Sequence, residues 1–381
     1  MARKTILFIG GSLNMTRMTH AVARHLQDEF DCWFSPFYSD GLYDLLASHT
    51  RLIDFTVLGG NFRRQTDAYL RQHNLPIDYR GEARAYDLYV ATTDLYVPKN
   101  LRDKPFILIQ EGMTDPEGIM YHLVKWFKLP RYFASTSTNG LSNQYRYFCV
   151  ASEGYRDFFI RKGVRPDKLV VTGIPNYDNC ASYLNNDFPY RDFVLIATSD
   201  ARETYKLDNR KRFLRRALAI ANGRPVIFKL HPNENFQRAE REIREVWAEA
   251  ARGSGGAGEQ GGVKNYDLGI RNGEEVVSGG QPRTADDRRP PITDEPLIYT
   301  DGNIDHMIAN CSALICQYST VVYAGIALGK EVHSYFDLAM LKRLMPMQNG
   351  GTSGRNIAQL CRHILLGEPV RWEEFLVYAT P

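Results

Sequence analysis

Two doubly wound α/β domains, each built on a parallel sheet and facing a common cleft, are what this sequence predicts, and three observations predict them. Short apolar runs bounded by polar, glycine or proline residues recur along the chain, as strands buried on both faces require. Helical stretches alternate with those runs, as crossovers between parallel strands must. Near residues 175–190 the pattern stops in turn formers and then restarts, in a chain of 381 residues, a length at which one core gives way to two.

The first run, Thr5–Ile9, passes through Gly10, Gly11 and Ser12 into a helical stretch reaching about Phe30, the strand, turn and helix that open such a sheet. Cys32–Phe34, Tyr86–Ala91, Phe106–Gln110, Tyr147–Ala151 and Leu169–Thr172 supply further strands. Turn formers concentrate over Thr172–Asn179, and the second half begins with the strand Phe193–Ala197, a helix at about Lys211–Asn222 and the strand Val226–Leu230. A charged helix at about Gln237–Ala251 follows, then the strand Leu297–Tyr299, a helix around Ile304–Asn310, the strand Ala313–Cys316 and a helix from about Thr320 to Leu328. The expected domains are residues 1–180 and 181–381.

Residues of about 252–295 break the second pattern, being rich in Gly, Arg, Asp and Glu with Tyr266 their one aromatic. Too little apolar area is available there to offset ordering entropy, so a flexible surface insertion is expected. Its Gly253-Ser-Gly-Gly-Ala-Gly258 stretch matches the dinucleotide fingerprint formally, but a helix precedes it where the fingerprint needs a strand.

Composition narrows the function classes. Hydrophobic content of 44% and charged content of 24% are ordinary for a globular protein, and a formal charge of +3 is too small to argue for a nucleic-acid partner. Six cysteines scattered without Cys-x-x-Cys spacing suit reduced, mostly buried thiols, neither a zinc site nor a disulfide framework. The apolar run after Met-Ala-Arg-Lys is short for a secretory signal, and no run of 18 apolar residues occurs, so a cytoplasmic protein is expected.

The strand-end loops of the second half carry the chemistry. Pro232 cannot donate to a sheet ladder and restricts the residue before it, so the strand Val226–Leu230 should end by leaving His231 at its C-terminal edge, beside Asn233. Thr198, Ser199 and Asp200 follow another strand, Asp301 a third, and Tyr318, Ser319 and Thr320 a fourth. Parallel sheets bind ligands at this edge, and a Ser-Thr pair at a helix N-terminus suits a phosphate. A nucleotide mono- or diphosphate is the natural occupant, His231 donating to a phosphate oxygen. The plainer alternatives are a histidine that caps a turn and hydroxyls that cap a helix.

In the first half, Glu111 ends the buried run Phe106–Gln110 and is followed by glycine, which suits a general base toward an acceptor hydroxyl. A capping or salt-bridged glutamate is the alternative. Gly10, Gly11 and Ser12 form the other loop expected to reach the cleft, with Gly11 and Ser12 as candidate substrate contacts; a simple tight turn is the alternative. Residues 121–133 interleave aromatics with Lys125, Lys128 and Arg131, a candidate for peripheral membrane contact or for gripping an acceptor. Core packing with snorkelling lysines competes with both.

Together the Gly10-Gly-Ser loop, Val150-Ala-Ser-Glu-Gly-Tyr155, Val171-Thr-Gly-Ile-Pro175, Lys229-Leu-His-Pro232, Gln317-Tyr-Ser-Thr320 and Ala327-Leu-Gly-Lys-Glu-Val332 resemble the GT-B nucleotide-sugar glycosyltransferases. Gln110-Glu-Gly112 and His231-Pro232 look like motifs of bacterial capsule transferases that use CMP-activated sugars, and like features of CDP-glycerol glycerophosphotransferases. That resemblance implies an acceptor-side domain followed by a nucleotide-binding domain, and transfer from a CMP- or UDP-sugar to a glycan or other hydroxyl acceptor, at the inner face of the membrane if 121–133 docks there. It implies Glu111 as base and His231 and Ser319 as donor-phosphate ligands, without a metal or other cofactor; no Asp-x-Asp metal motif occurs here. Ser319 through Val332 also resembles the non-hydrolysing UDP-N-acetylglucosamine 2-epimerases, although their Arg-x-x-Thr-Glu-Arg-Pro-Glu and His-Thr-Gly-Gln-His stretches are missing. Epimerase activity is therefore the alternative.

Overall fold

The computed structural model describes residues 3–40, 60–199, 202, 208–254, 288–291 and 293–370. The chain forms two compact units, residues 1–179 with 343–381 and residues 180–342.

In the first unit β1 (Thr5–Ile9), α1 (Leu13–Ala23), β2 (Asp31–Ser35), α2 (Gly60–Gln72), β3 (Leu88–Ala91), β4 (Phe106–Ile109), α3 (Ile119–Phe127), β5 (Tyr147–Val150), α4 (Glu153–Lys162) and β6 (Leu169–Val171) follow one another. The sheet order is β2-β1-β3-β4-β5-β6, with every pairing parallel. Winding reverses between β1 and β3, which makes the ends of these strands the switch point where open α/β sheets take ligands. β3 and β4 are buried along their whole length, so continuous apolar runs form these strands where an alternating pattern would leave one face wet. Ser12 caps α1 by accepting from the Met15 N–H, and Ser152 caps α4 in the same way through Tyr155. Gly10 is required by space: a Cβ there would lie 2.4 Å from Thr16 Oγ1.

The helix expected to reach about Phe30 stops at Ala23, and residues 24–29 turn. Arg3 draws the carbonyls of Gln27, Asp28 and Glu29 onto its guanidinium, which competes with helical pairing there.

The second unit contains β7 (Val194–Ala197), α5 (Arg210–Ala221), β8 (Val226–Lys229), α6 (Phe236–Ser254), β9 (Leu297–Tyr299), α7 (Ile304–Asn310), β10 (Ala313–Cys316), α8 (Val322–Ala327), β11 (Glu331–His333) and α9 (Leu338–Arg343). Its order, β11-β10-β7-β8-β9, is again all parallel. Winding reverses between β7 and β10. Helical spacing puts Phe213, Leu214, Ala217 and Ala221 of α5 and Ala239, Ile243 and Val246 of α6 into one core with Val194, Ile196, Phe228 and Ile315.

The expected division at 181–381 needs a correction at its far end, because the tail from Arg343 returns to the first unit. There α10 (Ser353–Leu366) lies against α1, close enough that a Cβ on Gly354 would come within 2.9 Å of the Ala21 carbonyl oxygen. Arg362 ties it down, reaching Glu29 Oε1 and the His25 carbonyl at 2.6 Å each. Amphipathic spacing says that a helix covers a sheet; it does not say which one.

Most of the expected insertion, with the end of the formal glycine fingerprint, lies outside the described residues. Among those described, no helix is long and apolar enough to cross a membrane.

Candidate active site

In the second unit the His231 turn is built from below by buried charge. Glu234 carries no exposed side-chain surface, and one of its oxygens accepts the His231 backbone N–H at 2.9 Å and the Thr198 hydroxyl. Its other oxygen lies 2.9 Å from Arg210, whose guanidinium also holds Asp208 at 3.0 Å. Asp208 in turn accepts from Gln317 Nε2 at 2.7 Å, and Ser199 donates to Gln317 Oε1 at 3.2 Å. This chain of bonds runs from the loop after β8 to the loops after β7 and β10, joining the strands at the reversal of winding. Such a buried network of hydrogen bonds and ion pairs ties these loops to one another.

His231 sits on top of that frame, partly exposed. Its Nδ1 accepts the Asn233 backbone N–H at 3.2 Å. A neutral imidazole that accepts at Nδ1 carries its proton on Nε2, so the turn selects the tautomer that donates from Nε2. Pro232 is exposed and Asn233 partly exposed beside it.

The other expected contacts of this unit divide into frame and surface. Thr198 and Ser199 are buried with their hydroxyls engaged inside the frame. Asp301 is exposed, accepting from its neighbour Thr300. Lys229, buried at the end of β8, reaches across to the Thr300 carbonyl at 2.7 Å, and burial lowers its pKa. Tyr318 is 60% exposed and packs edge-on against Tyr335 and Phe336, with centroids 5.4 and 5.1 Å away. Ser319 and Thr320 lie in the turn before α8, which begins at Val322 without a side-chain cap. The helix start expected at Thr320 thus falls two residues later.

In the first unit two expected residues separated by 99 positions meet. Ser12 Oγ, while accepting the Met15 N–H, points to Glu111 Oε1 at 3.5 Å, the long end of a hydrogen bond. Glu111 keeps part of its surface accessible, yet the packing around its carboxyl raises the pKa to about 7, with Ser12 opposing and Asp115 adding to the rise. Burial favours the neutral acid, and the result is a carboxyl that changes charge near neutrality. Gln110, buried under this loop, accepts from the Ala151 N–H at 2.9 Å and donates to the Gly112 carbonyl at 2.8 Å. Asn176 donates to the Glu111 carbonyl at 3.2 Å. Across the glycine turn, Thr66 of α2 donates to the Gly11 carbonyl at 2.9 Å.

Sequence reasoning missed the supporting residues: Glu234, Arg210 and Asp208 in one unit, Gln110, Thr66 and Asn176 in the other. A signal existed for two of them. Glu234 stands three residues after His231 in the same turn, and Gln110 occupies the last place of an otherwise apolar run.

No protein-family model matches the chain, and no curated protein matches it. Solved structures do. The S. aureus protein MnaA, determined with UDP, is 11% identical with a TM-score of 0.51 over 95% of this chain and 97% of its own. UDP-GlcNAc 2-epimerase from Neisseria meningitidis, bound to UDP-GlcNAc, is likewise 11% identical at 0.51, covering 94% of this chain and 99% of its own. The wall teichoic acid polymerase TagF follows at 10% identity and 0.43, covering 96% and 90%. At such identities the likeness speaks to fold, and the fold of this chain, α/β with two parallel sheets, is that of the GT-B proteins.

Proposed function

We propose that the chain is a glycosyltransferase that moves a sugar from a nucleotide-activated donor, a CMP- or UDP-sugar, to a hydroxyl acceptor in polysaccharide or glycoconjugate synthesis. One observation carries the reading: a carboxyl at a strand end, met by the Ser12 hydroxyl and raised to about 7 by burial. A base of that strength accepts a proton near neutral pH and gives it up again afterwards. In this reading the Glu111 carboxylate takes the proton of the acceptor hydroxyl as its oxygen bonds to the anomeric carbon. The bond from that carbon to the donor phosphate breaks, and its electron pair leaves with the nucleotide. His231 donates from Nε2 to the departing phosphate oxygen, where charge develops. Tyr318, Ser319 and Thr320, with Asn233 and Asp301, supply the remaining donor contacts, while Thr198 and Ser199 act through the frame. No step calls on a metal.

The N. meningitidis protein of like fold is a UDP-GlcNAc 2-epimerase, and turnover of that nucleotide sugar without an acceptor is the second reading. A CDP-glycerol glycerophosphotransferase, in which the acceptor oxygen bonds to the glycerol-bearing phosphorus and CMP leaves, is a separate alternative. Calorimetry with CMP, CDP, UMP, UDP and GDP establishes the base, after which release of nucleotide is followed with and without a hydroxyl acceptor. Glu111→Gln should keep nucleotide affinity and lose turnover by about 100-fold or more, the range of a general base. Unchanged turnover in that variant would remove Glu111 from the reaction, and turnover independent of acceptor would favour the epimerase.

A further inference from the structure

A helix on the surface of a globular protein presents polar residues outward. α3 does not. Its inner side is accounted for, since Tyr121 and Val124 are buried with Ala134, and Leu141 packs against them. Its outer side carries Ile119, Met120, Trp126 and Phe127, and the chain beyond it adds Leu129 and Phe133. Trp126 is 72% exposed and Phe127 69%. Of the twelve large hydrophobic side chains exposed among the described residues, six fall within residues 119–133, so this is a patch and not the ordinary scatter of surface apolar groups.

The charges around the patch select its partner. Residues 119–133 contain no Asp or Glu. Lys125 and Lys128 are exposed, and neither makes an ion pair among the described residues. Arg131, which follows, is held by the buried Asp94 at 2.9 Å. Lys125 lies over the Tyr121 ring, 5.7 Å from its centroid, and the nearest preceding carboxylate, Glu117, faces Lys162 at 3.8 Å. An indole and a phenyl ring projecting beside two exposed ammonium groups match the boundary of an anionic bilayer, where rings enter between acyl chains and lysines meet headgroup phosphates. At nine residues α3 can lie in that boundary and cannot span it.

We propose that α3 and the turn after it form a docking surface for an anionic phospholipid bilayer. The surface is fixed to the unit, because Asp115 before the helix accepts from Thr136 after it at 3.0 Å, and Tyr121 and Val124 anchor its inner side. Only residues 112–118 separate it along the chain from Glu111. The inference does not depend on the reaction proposed above.

The test uses the full chain and vesicles of phosphatidylcholine alone or mixed with phosphatidylglycerol at roughly three to one, followed by co-sedimentation. Partition onto the anionic vesicles should exceed that onto neutral ones by about tenfold and fall with added salt. Trp126→Ser with Phe127→Ser should lower it by about tenfold with an unchanged melting curve, since both rings are already exposed. Lys125→Glu with Lys128→Glu should abolish the preference for anionic vesicles. Absence of binding by the wild type, or equal binding by the Trp126/Phe127 variant, overturns the proposal. So does a wild-type dimer in sedimentation velocity that binds no vesicles and becomes monomeric in that variant, which would give this face to a second copy of the chain.

Discussion

Glu111→Gln offers a test of the candidate base that needs no substrate. The carboxyl has its pKa raised to about 7 from an ordinary 4.5, chiefly by burial. Between those two values the folded protein holds a proton that the unfolded chain releases, so stability falls as pH rises through that window and levels off above it. Below both values the effect is absent. The interval corresponds to at most about 3 kcal/mol, and the solvent that reaches part of Glu111 reduces this to about 1 to 2 kcal/mol. Glutamine has no proton to lose, so the variant should gain on the wild type as pH rises from 5 to 8, by about 3 to 6 °C in melting temperature if the first unit unfolds alone. Thermal scans of both proteins at several pH values measure this. A difference in melting temperature that stays flat with pH would mean an ordinary carboxylate at Glu111, and the argument for a base poised near neutrality would fail. The rate of a reaction that uses Glu111 should rise through the same region near pH 7.

Two further predictions concern the second unit. His231→Ala should weaken nucleotide binding by about 1 to 3 kcal/mol, the worth of one hydrogen bond to a charged group; equal affinity in titration calorimetry would take His231 off the phosphate. Arg210→Met leaves Asp208 and Glu234 buried without its guanidinium and should lower unfolding stability by about 3 to 5 kcal/mol, read from the urea midpoint of the second unit. A loss below about 1 kcal/mol would show that the buried network does not hold the strand ends.

The strands were legible because a strand buried on both faces has few ways to be written: Phe106–Ile109 and Val194–Ala197 are uninterrupted apolar runs, and both lie in the interior of parallel sheets. Pro232 made the end of β8 legible for the same elementary reason, the lack of an N–H. Partnership between distant residues was not legible. Nothing local couples Ser12 to Glu111 or Arg210 to Glu234, and nothing in the spacing of α10 tells which sheet it covers. The partners of the buried hydroxyls were not legible for a related reason. Thr198 and Ser199 have the composition of ligand contacts, but a buried carboxylate and a buried glutamine claim them first, because an unpaired polar group in the interior costs more than a solvated one.

Both units solve one problem with the same residue type. A parallel sheet ends its central strands in backbone groups that leave the ladder, and a ligand-binding side chain placed there would wander unless the loop were held. In the first unit Gln110, directly after β4 and 1% exposed, accepts from the loop after β5 and donates to its own turn. In the second, Gln317, directly after β10 and 5% exposed, donates to Asp208 and accepts from Ser199 in the loop after β7. An amide both gives and receives, so one uncharged side chain ties two loops at little desolvation cost beyond its own bonds. The residue that follows each glutamine, Glu111 in one case and Tyr318 in the other, is thereby presented from a fixed backbone, which is the condition for a side chain to meet a ligand in one geometry. The two loops differ in what they leave accessible: Tyr318 is 60% exposed while Ser199 lies buried within the frame, so a loop's polarity alone does not tell which of its side chains can reach a ligand.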